Sequence, residues 1–272
     1  MRKYISNYNL KTDKIKDIKI VHISDIHCDV NYNFKRLEFL VNEIRKLKPN
    51  YICITGDIID NGKVLEDEKT YEILKKFLIN LRMICKVIIT LGNHEMQGGS
   101  FSIMSYKKII KRLSDIPNLI VLDNETYEEN NICFVGFNPS YEYYRDKKCY
   151  PYNFIRDLNS MNLKLNYDKY NVLLVHTPKD VLEDVIYNKV KDFDLILSGH
   201  THGGLVPDWF IGNRGLISPE RKWFPKNVRG HIIRENTHLI INSATIKFSN
   251  TSHLFKYLNF LYSSHINSIN FK

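Results

Sequence analysis

Short apolar segments recur along the chain and predict β-strands. Most are continuous apolar runs rather than alternating ones, which is the pattern of strands buried on both faces. The predicted strands are Ile18–Ile23, Tyr51–Thr55, Val87–Leu91, Ile132–Phe137, Val172–Val175, Leu195–Ser198 and His238–Ser243.

Amphipathic stretches lie between several of these strands and predict helices. Apolar residues share one face with a 3.6-residue period over Phe34–Leu47, and the pattern stops before Pro49. A second stripe covers Ile73–Leu81, and a third covers Val181–Ile186, after Pro178. This alternation of strands and helices predicts an α/β fold that binds ligands at the carboxyl ends of its strands.

The composition is that of one soluble globular domain. Of the 272 residues, 43% are hydrophobic and 25% are charged. A chain of this size buries enough surface to fold without a disulfide or a structural metal. Because no repeat or Pro/Ser/Gly-rich linker divides the sequence, we expect residues 1–272 to form one domain.

Cysteine usage and the lack of long apolar runs favour a cytoplasmic protein. The five cysteines include no CxxC pair, and an odd number does not suggest a disulfide framework. No run approaches the roughly 20 apolar residues that span a bilayer. The basic first 16 residues lack an apolar segment and a cleavage site, so no signal peptide is predicted.

The net charge of +9 is unevenly distributed. Residues 203–272 contain nine Lys and Arg against three Asp and Glu, a net charge of +6. A basic surface attracts anionic substrates or anionic lipid. A solvated basic surface without a binding role is the alternative.

Polar side chains that can bind metals follow five of the predicted strands. One such residue after a strand is commonly a turn or helix cap, but turns do not require histidine, and five of the ten histidines lie in these segments. The segments are Ser24-Asp25-Ile26-His27, Gly56-Asp57-Ile58-Ile59-Asp60, Gly92-Asn93-His94-Glu95, His176 and Gly199-His200-Thr201-His202.

These residue types indicate a site for two divalent metal ions. Mixed imidazole, carboxylate and amide ligands suit Mn, Fe, Zn, Co or Ni better than a thiolate zinc site or a calcium site. A carboxylate that bridges two ions holds them about 3.5–4 Å apart, as in phosphatases and nucleases. Such a pair generates hydroxide near neutral pH and neutralises phosphoryl oxygens in the transition state.

The order of the motifs resembles the calcineurin-like metallophosphoesterases. That family has D-x-H, GDxxD, GNH[DE], a lone His and GHxH in this order. The chain has DIH at 25–27, GDIID at 56–60, GNHE at 92–95, VH at 175–176 and GHTH at 199–202. The resemblance covers about residues 18–202 and implies a fold of two mixed β-sheets packed as a sandwich and flanked by helices.

The resemblance also implies a role for each residue. A hydroxide that bridges the two metals would attack phosphorus, and His94, oriented by Glu95, would face the leaving oxygen as general acid. Asp60 would support a ligand without binding metal. The first metal would be bound by Asp25, His27, Asp57 and His202, and the second by Asp57, Asn93, His176 and His200.

A longer motif, GHTHGG, is similar to that of a bacterial group of phosphodiesterases that are often membrane-anchored. Some relatives in that group cleave the pyrophosphate of UDP-diacylglucosamine, so a lipid-linked substrate is one expectation. In that group a transmembrane helix usually precedes a segment like Tyr4–Ile18. This sequence begins at that segment, so peripheral contact with the inner face of the membrane is expected rather than a permanent anchor.

Residues 203–230 are predicted to form a substrate-binding cap. Both tryptophans of the chain lie in this segment, with arginines that could bind phosphate. A loop that packs its own aromatic residues is the alternative. The predicted substrate-binding residues are Trp209, Arg214, Arg221, Trp223 and Arg229.

Two further segments carry weaker signals. The amphipathic segment Leu254–Leu261 could contact a membrane surface, although a core-packing element is the more common outcome. Tyrosines between 141 and 152, interleaved with Arg145, Lys147 and Lys148, could stack on nucleic-acid bases, and a solvated loop is the alternative.

The predicted function is a metal-dependent phosphoric ester hydrolase, a phosphodiesterase or pyrophosphatase that acts on an anionic phosphoester. A nuclease that acts on DNA or RNA is the alternative enzyme, but nucleic acid is the less favoured partner because no long basic stripe is present. A non-catalytic scaffold is a third hypothesis, opposed by the intact motifs.

Overall fold

The computed structural model describes residues 3–29, 34–97, 103–145, 150–163, 165–178, 180–205, 212–219, 222–245 and 264–272. The strands are β1 (Lys3–Leu10), β2 (Lys19–Ile23), β3 (Tyr51–Thr55), β4 (Lys86–Thr90), β5 (Ile120–Val121), β6 (Thr126–Glu129), β7 (Ile132–Phe137), β8 (Tyr170–Val175), β9 (Leu195–Ser198), β10 (Gly230–Arg234), β11 (Thr237–Ile241) and β12 (Ser264–Phe271). The helices are α1 (Phe34–Leu47), α2 (Glu68–Arg82), α3 (Asn93–Gln97), α4 (Ile103–Ser114), α5 (Tyr141–Arg145), α6 (Tyr150–Ser160) and α7 (Asp184–Val190).

The strands form two mixed sheets. The first has the order β1-β12-β2-β3-β4-β5, with β2 to β5 parallel and β12 antiparallel to β2. The second has the order β10-β11-β9-β8-β7-β6, with β11, β9, β8 and β7 parallel. The parallel strands of each sheet therefore end at one common edge.

Apolar residues form three buried layers. Alternate residues of a strand point to opposite faces. On β3, Ile52 and Ile54 therefore face the helices that cover the first sheet, while Cys53 faces the second sheet. The layer between the sheets contains Ile20, Cys53, Ile88, Leu174, Leu197 and Ile240. Helices α1, α2 and α4 cover the first sheet, and α6 and α7 cover the second. The predicted sandwich flanked by helices is confirmed.

All seven predicted strands are present, and none of their ends is shifted by more than two residues. Helix α1 has the predicted bounds. The third predicted helix is displaced: Asp180–Leu182 form a 3₁₀ turn, and α7 begins at Asp184 because Glu183 has an extended backbone. Strands β1, β5, β6, β10 and β12 were not predicted.

No helix among the described residues is long and apolar enough to cross a membrane. The four described cysteines, Cys28, Cys53, Cys85 and Cys133, are free thiols. The amphipathic segment Leu254–Leu261 lies outside the described residues.

Candidate metal centre

The polar residues after five strands meet at one edge of the sandwich. The loops after β2, β3, β8 and β9 are joined by backbone hydrogen bonds. The amide of Asp25 donates to the carbonyl of Gly56 (3.1 Å), and that of Gly199 donates to the carbonyl of His176 (2.9 Å). The predicted ligands brought together here are Asp25, His27, Asp57, Asn93, His176, His200 and His202.

One cluster consists of Asp25, His27 and His202. The Nε2 atoms of the two histidines lie 3.1 Å apart. Oδ1 of Asp25 lies 3.4 Å from Nε2 of His202 and 3.9 Å from Nε2 of His27. One carboxylate oxygen and two imidazole nitrogens therefore converge on a small buried volume.

A second cluster consists of Asp57, His176 and His200, with Asn93 beside it. Nε2 of His176 lies 3.2 Å from Nδ1 of His200 and 3.1 Å from Oδ1 of Asn93. It also lies 3.2 Å from Oδ2 of Asp57. The amide oxygen, the carboxylate and the two imidazoles surround one point.

Asp57 lies between the two clusters. The same oxygen, Oδ2, is 3.2 Å from Nε2 of His176 in the second cluster and 3.8 Å from Nε2 of His27 in the first. The other oxygen, Oδ1, accepts a hydrogen bond from the amide of His94 (2.9 Å). The Asp57 carboxylate therefore faces histidines of both clusters.

The backbone of the centre is strained. Five of the seven predicted ligands have positive φ angles, a region that is uncommon for residues other than glycine, with Asn, Asp and His adopting it more often than the rest. Each such residue costs on the order of 1–3 kcal/mol, and such strain clusters at functional sites. The angles are 53° at Asp25, 45° at His27, 50° at Asp57, 68° at His200 and 49° at His202.

Two motif glycines leave room for the carboxylates. A Cβ atom at Gly92 would lie 2.2 Å from Oδ1 of Asp57, and one at Gly199 would lie 2.5 Å from Oδ2 of Asp25. Both distances are shorter than real Cβ contacts. The glycines of the GNH and GHxH motifs are therefore steric requirements of the site.

Neighbouring groups lie behind two of the predicted ligand rings, and one of them makes a hydrogen bond. Nδ1 of His176 donates to the carbonyl of Thr55 (2.7 Å), which leaves the lone pair of Nε2 pointing into the centre. Oδ1 of Asp60 lies 3.6 Å from Nδ1 of His27. The sequence-based expectation that Asp60 supports a ligand stays a prediction; carboxylates commonly orient a metal-binding imidazole from this side.

His94 lies at the mouth of the centre, with 32% of its side chain exposed. Its Nε2 is 3.9 Å from Oδ2 of Asp57, and its Nδ1 donates to the carbonyl of Asp60. Glu95 does not orient this ring, contrary to the sequence-based expectation. Both Glu95 oxygens instead accept hydrogen bonds from backbone amides, those of Asp57, Ile58, Ile59 and Gly92 at 2.7–3.0 Å.

Glu95 therefore fixes the two loops that carry the ligands. Burial, together with the charge of Asp57, raises the pKa of Glu95. The four amide donors oppose that shift because they stabilise the carboxylate. We assign Glu95 a positioning role because every contact of its carboxylate is to backbone.

Charges in the centre perturb the pKa values of its residues strongly. Burial raises the pKa of Asp57, but the histidines around it, His176 and His94 foremost, outweigh burial and hold it well below its usual range. Burial lowers the pKa of His176, but Asp57 outweighs burial and raises it to about 10. A proton and a cation therefore compete for the same nitrogen.

Two other histidines are shifted in opposite directions. Burial, followed by the charge of His94, lowers the pKa of His27 well below its usual value, so this ring is neutral and able to bind a cation. Burial also lowers the pKa of His94, but Asp57 and then Asp60 outweigh it, and the pKa is raised. The neighbouring carboxylates thus favour the protonated form of His94.

The residues fit divalent metal ions. In each cluster two imidazole nitrogens face each other at 3.1–3.2 Å with a carboxylate beside them. Two such nitrogens can share one proton or bind one cation. Imidazole, carboxylate and amide donors match transition metals.

The cap segment is partly described. The carbonyl of Gly204 accepts hydrogen bonds from Leu216 and Ile217, and Thr201 Oγ1 donates to the carbonyl of Val228. Trp223 is 68% exposed, and its ring centroid lies 6.3 Å from that of Phe224. Arg214 is exposed, and Arg229 lines a neighbouring cleft. The predicted residues Trp209 and Arg221 lie outside the described residues.

Sequence reasoning missed several supporting contacts. It did not identify the carbonyl of Thr55, because any residue could supply that group. It also missed the hydrogen bond between the hydroxyls of Tyr143 and Thr177 (2.9 Å), which joins α5 to the residue after His176. The Tyr-rich segment gave a signal, but that signal pointed to nucleic acid.

Known proteins with similar sequences are metallophosphoesterases. An uncharacterized metallophosphoesterase of Campylobacter jejuni is 31% identical over 191 residues, 70% of this chain and 46% of that protein. One of Aquifex aeolicus is 28% identical over 212 residues, 76% of this chain and 72% of that protein. The UDP-2,3-diacylglucosamine pyrophosphatase of Chlamydia trachomatis is 33% identical over 91 residues, 33% of this chain and 26% of that protein. The chain spans about half the length of the first curated relatives that it matches.

A family model of calcineurin-like phosphoesterases matches residues 18–204. This range includes all five motifs, from Asp25 to His202, and the strands that carry them. The match spans more than half of the chain, and the structure gathers the motif residues at one edge of a two-sheet sandwich. The chain belongs to the calcineurin-like phosphoesterase family.

Proposed function

We propose that the protein hydrolyses phosphodiester or pyrophosphate bonds with two divalent metal ions. The observation that carries this proposal is the position of Asp57, whose Oδ2 lies 3.2 Å from His176 and 3.8 Å from His27. One carboxylate thus belongs to two clusters that each have enough donors for an ion. A single-metal site would need only one of them.

The assigned ligands are those expected from the sequence. One ion would be bound by Asp25, His27, Asp57 and His202, and the other by Asp57, Asn93, His176 and His200. Bound divalent ions make hydroxide available near neutral pH and neutralise phosphoryl oxygens.

The other residues position and protonate the substrate. Nε2 of His94 faces the centre from its exposed mouth, and the raised pKa of this ring favours the protonated form that would donate to the leaving oxygen. Glu95 holds the loops of Asp57 and Gly92 in place through four amide bonds. Rigid placement of this kind preserves the geometry on which catalysis depends.

For the substrate class, we propose an anionic phosphoester with a large apolar or lipid-linked group. Support comes from the short match to a UDP-2,3-diacylglucosamine pyrophosphatase and from the cap segment. Trp223 and Phe224 are 68% and 65% exposed there, next to the exposed Lys222 and Lys226. Aromatic rings beside cationic groups suit a ligand with an apolar body and a negative head.

Metal reconstitution tests the proposed function. Metal-free protein would be titrated separately with Mn²⁺, Zn²⁺, Fe²⁺, Co²⁺ and Ni²⁺ while bound metal and hydrolysis are measured. The substrates are a bis-aryl phosphate, an aryl monophosphate, a UDP-sugar lipid and an oligonucleotide. We expect two bound ions per chain, activity that follows the second ion, and preference for the diester or the pyrophosphate.

Three results would contradict the proposal. Full activity with one ion per chain would exclude a binuclear mechanism. Preference for the oligonucleotide would favour the nuclease alternative. Metal binding without turnover of any of the four substrates would favour the scaffold hypothesis.

A further inference from the structure

A polar cleft of about 330 Å³ lies at the open edge between the two sheets. Its walls come from β1 and β12 of the first sheet and from β10, β11 and the end of the cap segment. Its volume is at the lower end of the range for small-molecule pockets. None of the five sequence motifs contributes a residue to it.

The inner face of the first sheet carries polar side chains at one end and apolar side chains at the other. Along β12 the inward residues run from His265 and Asn267 to Ile269 and Phe271, so the strand is polar at one end and apolar at the other. The polar end is the one near the metal centre, because β12 is antiparallel to β2 and Asn267 pairs with His22. The space between packed sheets is normally filled by apolar side chains.

Strand β1 repeats this pattern beside β12. Tyr4, Ser6 and Tyr8 alternate along β1 and line the cleft, whereas Leu10 lies in the apolar layer. Tyr4 is paired with His265, and their ring centroids are 5.0 Å apart. Two neighbouring strands therefore present donors to the same space at the same end.

The opposite wall adds imidazole and guanidinium groups. His231 lies edge-on to Tyr8, with ring centroids 5.6 Å apart, and its Nε2 is 2.8 Å from Nδ1 of His238. Arg229 lines the mouth of the cleft, where its Nε donates to the carbonyl of Gly212 (2.9 Å). Burial, with the charge of His238, lowers the pKa of His231, which favours the neutral ring.

The cleft adjoins the metal centre through the backbone. Arg229 follows Val228, whose carbonyl accepts a hydrogen bond from Thr201, the residue between His200 and His202. Ser243, another lining residue, is two residues before Thr245, whose amide donates to the carbonyl of Ser24 (2.9 Å). Ser24 directly precedes Asp25, so this wall of the cleft is tied to two ligand-bearing loops.

We propose that this cleft binds a phosphate group, with Arg229, His231, His265 and Asn267 as its donors. Among the described residues that line it, none is Asp or Glu, so these side chains present no negative charge to an anion. Phosphate oxygens accept hydrogen bonds and pair most strongly with cationic donors. The role of the site rests on the proposed function: it would hold a non-reacting phosphate of the substrate.

A binding experiment on metal-free protein separates this proposal from catalysis. Inorganic phosphate would be titrated while the ring signals of His231 and His265 are followed by NMR. We expect saturable shifts at both rings. Because a hydrogen bond to a charged group is lost, Arg229→Gln should weaken binding at least about tenfold.

The matched control is Arg45→Gln. Arg45 lies on α1, where it donates to Asn42 on an exposed surface, and its loss should leave phosphate binding unchanged. His265→Asn provides a second variant whose effect is read at His231. Absence of saturable shifts, or equal binding by the wild type and Arg229→Gln, would overturn the proposal.

Turnover then identifies the source of the phosphate. If the phosphate belongs to the substrate, Arg229→Gln should raise the KM of a pyrophosphate-linked substrate. Lost phosphate binding with an unchanged KM would overturn that role and leave a separate phosphate ligand. Phosphate binding by a protein that hydrolyses none of the test substrates would contradict the proposed function alone.

Discussion

Single residues in the centre act on several groups at once, and Asp57 shows this most clearly. Asp57→Asn keeps an oxygen that can accept from the amide of His94 but removes the charge shared by the two clusters. We expect metal content to fall from two ions to near zero, since each ion would lose an anionic ligand. Elemental analysis after dialysis measures this.

The control for Asp57 is Asp168→Asn, which changes an exposed aspartate far from the motifs. This variant should retain the metal content of the wild type. A full complement of metal in Asp57→Asn would refute the assignment of Asp57 as a shared ligand.

His94 is predicted to act on the leaving group and not on metal binding. His94→Ala should keep its metals and lose about 10²- to 10⁴-fold in kcat, the usual contribution of a general acid. The loss should shrink for esters with acidic leaving groups, because these need no proton. Rates for a series of aryl phosphodiesters measure this, and an equal loss across the series would exclude the acid role.

His22 makes stability depend on pH without contacting the clusters. It is fully buried, Nε2 donates to Oγ1 of Thr55 (2.8 Å), and Nδ1 accepts from Asn267 (3.3 Å). Burial lowers its pKa to about 3. Between pH 6.5 and about 3 the unfolded chain binds a proton here that the folded chain does not, so stability falls as pH falls through this range.

The predicted slope from His22 is about 1.4 kcal/mol per pH unit well below pH 6.5. Denaturant unfolding of metal-free protein at several pH values measures it. His22→Gln should be less stable at neutral pH. Its free energy of unfolding should depend on pH less steeply than that of the wild type, by about 1.4 kcal/mol per pH unit. An unchanged slope in the variant would mean that His22 is protonated in the folded state.

At the scale of elements, the sequence predicted the interior of the fold well. Strands β3, β7 and β9 have the predicted bounds because they are buried on both faces, which leaves a continuous apolar signal. The edge strand β1 and its partner β12 were missed because polar residues alternate along them. Several of these polar residues line the cleft between the sheets, and they do not indicate a loop.

The candidate site was predictable for a related reason. Parallel strands bring their carboxyl ends together, so the order of the motifs implied one cluster. The orientation of His94 was not predictable, because the group that binds its Nδ1 is the backbone carbonyl of Asp60. The contacts of Glu95 were not predictable either, because its carboxylate accepts hydrogen bonds from backbone amides that come together only in the folded loops.

The cap segment depends on a close approach between two glycines. A Cβ atom at Gly204 would lie 2.3 Å from Cα of Gly215, and the φ of Gly204 is 65°. Gly204→Ala should therefore displace the segment and raise the KM of a UDP-sugar lipid, while a small bis-aryl phosphate should change much less. Steady-state kinetics with both substrates measures the difference.

Gly212→Ala is a control for backbone strain only, because Gly212 lines the phosphate cleft and its carbonyl accepts from Arg229. Its φ is 122°, so it also carries backbone strain, but its Cβ would meet no atom within 4 Å. If Gly204→Ala and Gly212→Ala change the KM of both substrates equally, backbone strain explains the result. The close approach of Gly204 to Gly215 then does not explain it.

At the scale of the whole molecule, the net charge of +9 acts on any anionic substrate. Salt screens such attraction, since the Debye length falls from about 30 Å at 0.01 M to about 10 Å at 0.1 M. We expect kcat/KM to decrease with ionic strength. The decrease should be steeper for a pyrophosphate-linked substrate with two charges than for a bis-aryl phosphate with one.

The position of the charge, and not only its sum, should set this salt dependence. Lys222→Glu with Lys226→Glu removes exposed cations from the cap segment, which docks beside His202. Lys189→Glu with Lys191→Glu makes the same change in net charge at the end of α7 and the residue after it, near the amino end of β9 and away from the centre. If the cap steers the substrate, the first pair should flatten the salt dependence of kcat/KM, and the second should change it little. Equal flattening by both pairs would mean that total charge governs association and that the basic cap has no special part in it.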